Sequence, residues 1–354
     1  MFFFPVTPSF GHIVKVHPIS YTLVQMNNYI ICCVYAILIF VKRIECWSDE
    51  GHMVVSAIAY EGLNDEEKFI LNHIFKNYKE DNDFNDPISG AVWSDHIKSV
   101  DYHYPDKVRR VDGVDLMNKW HYINVPYNPT NANINIFHEQ FYKKTDNALT
   151  ILKHIFTSLK GIKKKENHGT FFSYNFNLRY FIHIFGDIHQ PLHVITFFNK
   201  HYPDGDSGGT NIYVMYNKKV EKLHYLCDCV FHTRNKKWPY TTTNQILNEA
   251  KKLINMYPPE YFGNRLKNEL YENEYLDFII SDSYSKAVDC IYSNFPHDTL
   301  NKDTSYLITN FAIINLKKTL NEQIVLAGYR LAHYLKIMIA NVPGDLVHKN
   351  NRSS

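Results

Sequence analysis

The segment RYFIHIFGDIHQPLH, residues 179–193, constrains this chain more than any other part of its sequence. His183 and Asp187 are four residues apart, so a helix would place both side chains on one face. Pro191 should end or kink that helix, which would let His193 turn toward a neighbouring centre. An imidazole and a carboxylate at this spacing can bind one zinc ion. The segment therefore predicts a helix that carries part of a metal site.

Three other segments offer side chains of the kinds that bind metal ions. LHYLCD contains His224 and Asp228, which again are four residues apart. WSDHIK places Asp95 and Lys98, a carboxylate and a cation, about one helical turn apart. His121 lies among aromatic residues in WHYIN. A single His–Asp pair is more often a surface or core pair than a metal site, so the interpretation depends on all four segments together.

The charge balance limits the kind of nucleic-acid binding that this chain can perform. The formal net charge of the 354 residues is +2. Residues 1–46 contain Lys15, Lys42 and Arg43 against Glu45, so they alone account for +2. The remainder is near neutral, whereas nucleic-acid-binding domains carry an excess of Lys and Arg. Any contact with phosphates must therefore come from a local site, where bound metal cations would supply the charge.

Cysteine usage excludes a disulfide-stabilised scaffold. Three of the six cysteines lie in or beside an N-terminal apolar run. The other three are Cys227, Cys229 and Cys290, among which at most one bridge can form. Cys227 and Cys229 flank Asp228, but no second cysteine pair lies nearby to complete a cysteine-rich zinc site.

Residues 1–46 are interpreted as a leader that contains a signal peptide. Ile30–Val41 is a run of twelve apolar residues, which is short for a membrane span and suits the apolar core of a signal. Cleavage after Cys46 would route the protein into the secretory pathway, to an extracellular, vacuolar or cell-surface destination. Lys42-Arg43 after the run is unusual for a cleavable signal, so an uncleaved membrane anchor is the alternative.

The remaining sequence predicts one mainly helical domain over residues 47–341, followed by a polar tail at 342–354. Apolar residues recur at helical spacing in most of it. The one strong strand signal is Asn211–Tyr216, which is followed by an Asn-Lys turn, so we expect a small β-hairpin on a helical body. Helices are expected to begin at Ser48 or Asp49 and at Asn64-Asp65, and to occupy residues 88–97, 148–159, 178–188, 269–292 and 306–339.

The order of the motifs resembles that of the nuclease S1/P1 family, the single-strand-specific zinc nucleases and 3'-nucleotidases. Mature members begin with Trp and have His five residues later, as Trp47 and His52 do in WSDEGH. Their Trp-x-Asp, His-aromatic-Ile, Gly-Asp…Gln-Pro-Leu-His and Leu-His-x-x-x-Asp motifs follow in the same order. Gly208-Gly209 and the GYRLA run at 328–332 match further motifs. The resemblance implies a helical fold of the zinc phospholipase C and single-strand nuclease type.

This resemblance also implies three Zn²⁺ ions and nine ligand residues. Trp47 would bind through its free α-amine and its carbonyl. A peptide nitrogen has no basic lone pair, so this ligand requires cleavage after Cys46. The implied ligands are Asp95, His121, His183 and Asp187 for one ion, Trp47 and His52 with bridging Asp187 for a second, and His193, His224 and Asp228 for a third, more exposed ion.

The activity implied is cleavage of single-stranded RNA and DNA, together with removal of the phosphate from 3'-nucleotides. A metal-bound hydroxide would attack phosphorus, and the third zinc would stabilise the leaving 3'-oxygen, so products would carry 5'-phosphates. Asp95, Lys98 and Asp187 are the implied catalytic residues. Tyr122, Asn124 and Lys98 are the implied substrate contacts, with Tyr122 stacking on an unpaired base. A surface role for Lys98 and a core role for Tyr122 are the alternatives.

Several positions depart from the family pattern. Asn124 replaces an Asp, Thr210 replaces an Asn, and Lys98 replaces an Arg, so it offers a point charge without bidentate geometry. Residues 200–204 are an insertion. The family disulfide is expected to be missing, because Ala132 occupies the position of the partner of Cys290. A bridge from Cys290 to Cys227 or Cys229 stays open.

Two other functions compete with the nuclease. A zinc phospholipase C shares the helical scaffold and the N-terminal Trp ligand, although Gly208-Gly209 and GYRLA favour the nuclease. A non-catalytic zinc-binding surface protein would explain Asn124 as a sign of decay, but all nine ligands are retained. We expect single-stranded nucleic acid and 3'-nucleotides as partners and no stable protein partner.

Overall fold

The structure, a computed structural model, describes residues 47–77, 82–97, 114–133, 146–161, 171–266 and 272–344. This part of the chain is mainly helical, which confirms the predicted fold class. Its α-helices are α1 (Asp49–Glu61), α2 (Asp65–Lys76), α3 (Trp93–His96), α4 (Ala148–Gly161), α5 (Phe171–Asp187), α6 (Leu223–Asp228), α7 (Thr243–Met256), α8 (Pro259–Phe262), α9 (Glu272–Lys286) and α10 (Asn310–Ala340).

The first two helices begin where capping residues predict. Ser48 is the N-cap of α1, because its hydroxyl accepts a hydrogen bond from the backbone N–H of Gly51. Asn64 caps α2 in a capping box, in which its side chain accepts from Glu67 N and the Glu67 carboxylate accepts from Asn64 N. Of the two residues proposed for the start of α1, Ser48 is therefore the cap.

Helix α5 lies in the middle of the core. Twelve of its 17 residues are buried, and they include polar as well as apolar side chains. It contacts α1, α2, α3, α4 and α10. A helix that is covered on most sides can hold buried functional groups rigidly, because neighbouring side chains fix their rotamers.

The long C-terminal helix α10 packs along α1. The two backbones approach closely at Gly328, where a Cβ atom would lie 2.5 Å from the Cβ of Ile58. Such a contact would force the helices apart, so the position requires glycine. Gly328, the first residue of the GYRLA run, is therefore needed for the packing of α10 against α1.

The strands are short and form two small sheets. β1 (Val125–Tyr127) pairs in parallel with β2 (Ile195–Phe197). β3 (Tyr213–Tyr216) forms a hairpin with β4 (Lys219–Lys222) and pairs in parallel with β5 (Ser305–Leu307). The predicted hairpin is present, but the described residues also contain the strands β1, β2 and β5, which the sequence did not predict. The other strands have three or four residues, too few for an alternating pattern to stand out.

Several helix boundaries differ from the predicted ones. The helix expected at 178–188 is α5, which begins at Phe171. The segment at 88–97 is a 3-10 helix, Ser89–Val92, that continues into α3. α9 ends at Lys286 and continues as the π-helical turn Ala287–Ile291, so 269–292 is not one regular helix. α10 begins after Thr309, whose side chain caps Ala312 N, while Tyr306 lies in a strand.

The described residues include no helix with both the length and the apolar character needed to cross a membrane. The apolar run at 30–41 lies outside them.

Candidate metal centre

Four side chains from three elements converge at the C-terminal end of α5. His183 and Asp187 share one face of the helix, with His183 Nε2 3.3 Å from Asp187 Oδ2. His121, at the end of the 3-10 helix Val114–His121, brings its Nδ1 within 3.0 Å of the same oxygen. Asp95 of α3 places Oδ1 3.6 Å from His183 Nε2 and 3.8 Å from His121 Nδ1. Asp95, His121 and His183 offer ligand atoms that all lie within 4.8 Å of one another, so one cation can contact these three side chains, and Asp187 adjoins them.

The other carboxylate oxygen of Asp187 faces a second group. His52, on α1, places Nε2 3.4 Å from Asp187 Oδ1, and its ring stacks on His183 with centroids 3.8 Å apart. Trp47 is buried beside it, and its indole Nε1 donates a hydrogen bond to Gly186 O at 2.9 Å. Asp187 therefore has one oxygen facing each group, so its carboxylate could serve a cation in either of them.

Gly186 makes this arrangement possible. A Cβ atom at this position would lie 2.9 Å from Nδ1 of His52. The glycine thus allows the ring of His52 to lie directly against the backbone of α5.

A third group lies past the end of α5. His193 follows Pro191 in the 3-10 helix Pro191–His193, and its Nε2 is 3.5 Å from Asp228 Oδ1. His224 and Asp228 lie one turn apart on α6, with His224 Nε2 3.5 Å from Asp228 Oδ2. The rings of His193 and His224 are nearly parallel, 5.0 Å apart. The two four-residue spacings read from the sequence therefore both occur on helices.

Three of the five imidazoles in these groups face backbone carbonyl groups. A carbonyl only accepts hydrogen bonds, so the nitrogen that faces it carries the proton and the other nitrogen can bind a cation. The acceptors are Ala91 O for His183 Nδ1 (2.7 Å), His121 O for His193 Nδ1 (3.1 Å) and Gly208 O for His224 Nδ1 (2.6 Å).

The donor set suits metal cations. Within the described residues, five buried atoms of these groups have no hydrogen-bond partner: both ring nitrogens of His52, Nε2 of His193, Oδ1 of Asp187 and Oδ2 of Asp228. Buried polar atoms are rarely left without a partner, and imidazole and carboxylate are common zinc ligands. Burial opposes ionisation of Asp187, yet His183, His121 and His193 hold its pKa well below its usual range. The carboxylate is thus available to a cation.

The predicted substrate contacts are Lys98, Tyr122 and Asn124. Lys98 lies outside the described residues. Tyr122 and Asn124 are partly buried in a segment that runs beside the third group, because Ile123 N donates to His193 O. Asn124 has φ 62°, a left-handed conformation that asparagine tolerates better than most residues. Whether these residues contact substrate stays a prediction.

The loop around the 200–204 insertion is tied to neighbouring structure. Asn199 donates to the carbonyls of His297 and Leu300, and Asn199 forms an antiparallel bridge with Tyr202.

The three cysteines within the described part, Cys227, Cys229 and Cys290, are free thiols. The bridge from Cys290 to either of the others is therefore not formed.

Asp206 is a functional candidate that sequence reasoning missed. It is fully buried, and its carboxylate accepts hydrogen bonds from Phe197 N, Gly209 N and the Tyr292 hydroxyl. It thereby holds the turn whose Gly208 carbonyl orients His224. The available signal was an aspartate two residues before the Gly-Gly pair, but the tyrosine partner is 86 residues away in sequence.

Asp206 should make stability depend on pH. Burial, opposed by hydrogen bonds from Tyr292 and backbone N–H groups, raises the pKa of its carboxyl from 3.8 to about 6. The folded state binds the proton of this carboxyl more tightly than the unfolded state does. The contribution of Asp206 to stability is therefore complete below pH 4 and is lost as pH rises through 6. We expect the difference in free energy of unfolding between the wild type and Asp206→Asn to fall by about 3 kcal/mol between pH 4 and 7. Urea unfolding in the presence of a chelator measures this difference. A difference that stays constant with pH would contradict the raised pKa of Asp206.

His189, two residues after Asp187, points away from the centre. Its Nδ1 faces the carbonyl of Phe185, and its Nε2 faces the guanidinium of Arg330. Burial and the charge of Arg330 lower the pKa of His189 to about 3. His189 therefore belongs to the core contact between α5 and α10.

Comparison with known proteins places this centre in context. Residues 47–340 match the S1/P1 nuclease family. Endonuclease 4 of Arabidopsis thaliana is 25% identical over 306 residues, which cover 84% of this chain and 91% of the plant protein. The family match covers most of the chain and includes every residue of the three groups. The chain therefore belongs to the S1/P1 nuclease family, and it is a hydrolase that acts on ester bonds in nucleic acids.

Proposed function

We propose that the protein cleaves phosphodiester bonds of single-stranded RNA and DNA to 5'-phosphorylated products, and that it removes the phosphate of 3'-nucleotides. The observation that carries this proposal is the position of Asp187, whose two oxygens face two different His-containing groups, with a third group adjoining through His193. Two cations held by these groups would supply the positive charge that phosphoryl chemistry requires. The family membership supports the same reaction class.

We assign three Zn²⁺ ions to these groups, with the ligands that the sequence indicated. When bound, zinc lowers the pKa of water and supplies positive charge for phosphate oxygens. The chain itself contributes rigid placement, because Asp187, His183 and His193 are almost fully buried and their rotamers are fixed by packing. Asp95 is the exception, with 24% of its side chain exposed, so the first group is open to substrate on that side.

The proposed ligand role of Trp47 links function to processing. We propose cleavage after Cys46 in the secretory pathway, which would create the free α-amine of Trp47. The docking of this segment supports the proposal, because Ser48 N donates to Asp228 O at 3.2 Å and the Ser48 hydroxyl donates to Arg234 O. The final compartment could be extracellular, vacuolar or the cell surface.

One experiment tests the proposed function against its alternatives. Protein that begins at Trp47 should hydrolyse single-stranded DNA and 3'-AMP, should cleave duplex DNA far more slowly, and should lose all activity in chelator. Adding zinc back should restore it, since the metal is held by reversible coordination. Hydrolysis of phosphatidylcholine alone would indicate a phospholipase. No hydrolysis of any substrate by zinc-loaded protein would indicate a non-catalytic zinc-binding protein.

A further inference from the structure

Gln190 is a buried amide that contacts a proposed ligand residue. It lies in the turn between α5 and the 3-10 helix that carries His193, and it is fully buried. Its Oε1 accepts a hydrogen bond from Leu192 N at 2.6 Å, and its Nε2 donates to Asp228 Oδ1 at 2.8 Å. One side chain thus joins the turn to α6.

The orientation of this amide follows from its partners. A backbone N–H can only donate, so the atom that faces Leu192 N must be the oxygen of the carboxamide. The NH₂ group is then directed at Asp228, where a carboxylate is the appropriate acceptor. The usual ambiguity between oxygen and nitrogen in a glutamine side chain is resolved by this contact.

The contact leaves the two oxygens of Asp228 in different states. Oδ1 is held by Gln190 and lies 3.5 Å from His193 Nε2, whereas Oδ2 has no hydrogen-bond partner among the described residues and lies 3.5 Å from His224 Nε2. The backbone carbonyl of Asp228 is also held, by Ser48 N. Asp228 is therefore fixed at both ends, with one free oxygen directed toward the imidazole of His224.

We propose that Gln190 is a positioning residue for the third ion, because it orients Asp228 so that Oδ2 is the ligand atom. This inference rests on the proposed function, which places zinc at His193, His224 and Asp228. A neutral donor suits the role, since it fixes the carboxylate and leaves its negative charge to attract the cation. Loss of a partner that orients a metal ligand in this way typically lowers the metal affinity roughly 10- to 100-fold.

The test uses Gln190→Met, which keeps the length of the side chain and removes the donor. The zinc affinity of the third site should fall about 10- to 100-fold, while the two other ions stay bound. Competition with a chromophoric chelator measures the affinity, and elemental analysis counts the ions. In cobalt-substituted protein, the visible absorption of the third ion should change, which a purely structural role of Gln190 would not cause.

Gln323→Met is the matched control. Gln323 is equally buried, and its amide donates to His189 O and Ser283 Oγ without touching any of the nine proposed ligands. This variant should lower the melting temperature of the metal-free protein and leave all zinc affinities unchanged. If Gln190→Met does not fold, Gln190→Asn replaces it, since its shorter amide cannot span Leu192 N and Asp228 together.

Two results would overturn the inference in distinguishable ways. A folded Gln190 variant with wild-type affinity for all three ions and an unchanged cobalt spectrum would show that Gln190 does not position Asp228. Wild-type protein that binds no ion at His193, His224 and Asp228 would overturn the three-zinc function itself.

Discussion

Replacing Asp187 with asparagine is expected to abolish nearly all nuclease activity. Asp187 is the only one of the proposed ligands with a separate oxygen in each of two groups, at 3.0 Å from His121 Nδ1 and 3.4 Å from His52 Nε2. An amide has one weakly binding oxygen and cannot bridge. The charge stabilisation that metal ions provide is worth several kcal/mol, so the rate should fall roughly 1,000-fold or more.

Activity on single-stranded DNA and the zinc content should be measured on the same preparation. Asp187→Asn should bind about one ion, at the third group. Asp277→Asn is the matched control, because that carboxylate is 54% exposed and pairs only with Lys153 among the ion pairs described. Exposed ion pairs contribute little, so this variant should match the wild type. Two retained ions and more than a tenth of the activity in Asp187→Asn would rule out the bridging role.

A single extra residue before Trp47 is expected to have the second-largest effect. Trp47 is 1% exposed and lies against Gly186, so the segment has a defined position next to His52. An added glycine would turn the proposed amine ligand into a peptide nitrogen, which has no basic lone pair. One zinc ion should then bind weakly, and activity should fall roughly 100-fold or more, as expected when metal charge is lost.

The comparison needs two proteins that differ only at the N-terminus, one that begins at Trp47 and one that begins with the added glycine. Zinc content, activity and melting temperature should be compared, because a similar melting temperature of the metal-free forms would exclude a general folding defect. N-terminal sequencing of active natural protein is the independent check. A fully active form that retains Cys46 would refute the ligand assignment and would favour the membrane-anchor interpretation.

The sequence predicted those features of the centre that depend on local spacing. His183 with Asp187 and His224 with Asp228 were expected on helical faces from four-residue separations alone, and both pairs lie on helices. The convergence of Asp95 and His121 on α5 depends on tertiary packing, which no spacing encodes. For these residues the resemblance to a known family supplied the information that local physics could not.

The remaining features of the centre depend on contacts between residues that are far apart in sequence. Gln190 belongs to the Gln-Pro-Leu-His motif, but its role depends on Asp228, 38 residues away in sequence. Asp206 depends on Tyr292 in the same way. The break in α9 at Ala287–Ile291 lies within a helical apolar pattern, since a π-helical turn changes the hydrogen-bond register without a distinct composition.

The close contact at Gly186 affects how related genes should be interpreted. A gene can encode all nine proposed ligands and still carry alanine at this position. Because the added methyl group would displace His52, such a gene is expected to encode a protein with one zinc site impaired. A survey that scores enzymes as active on ligand retention alone would misclassify it, so this glycine should be scored together with the ligands.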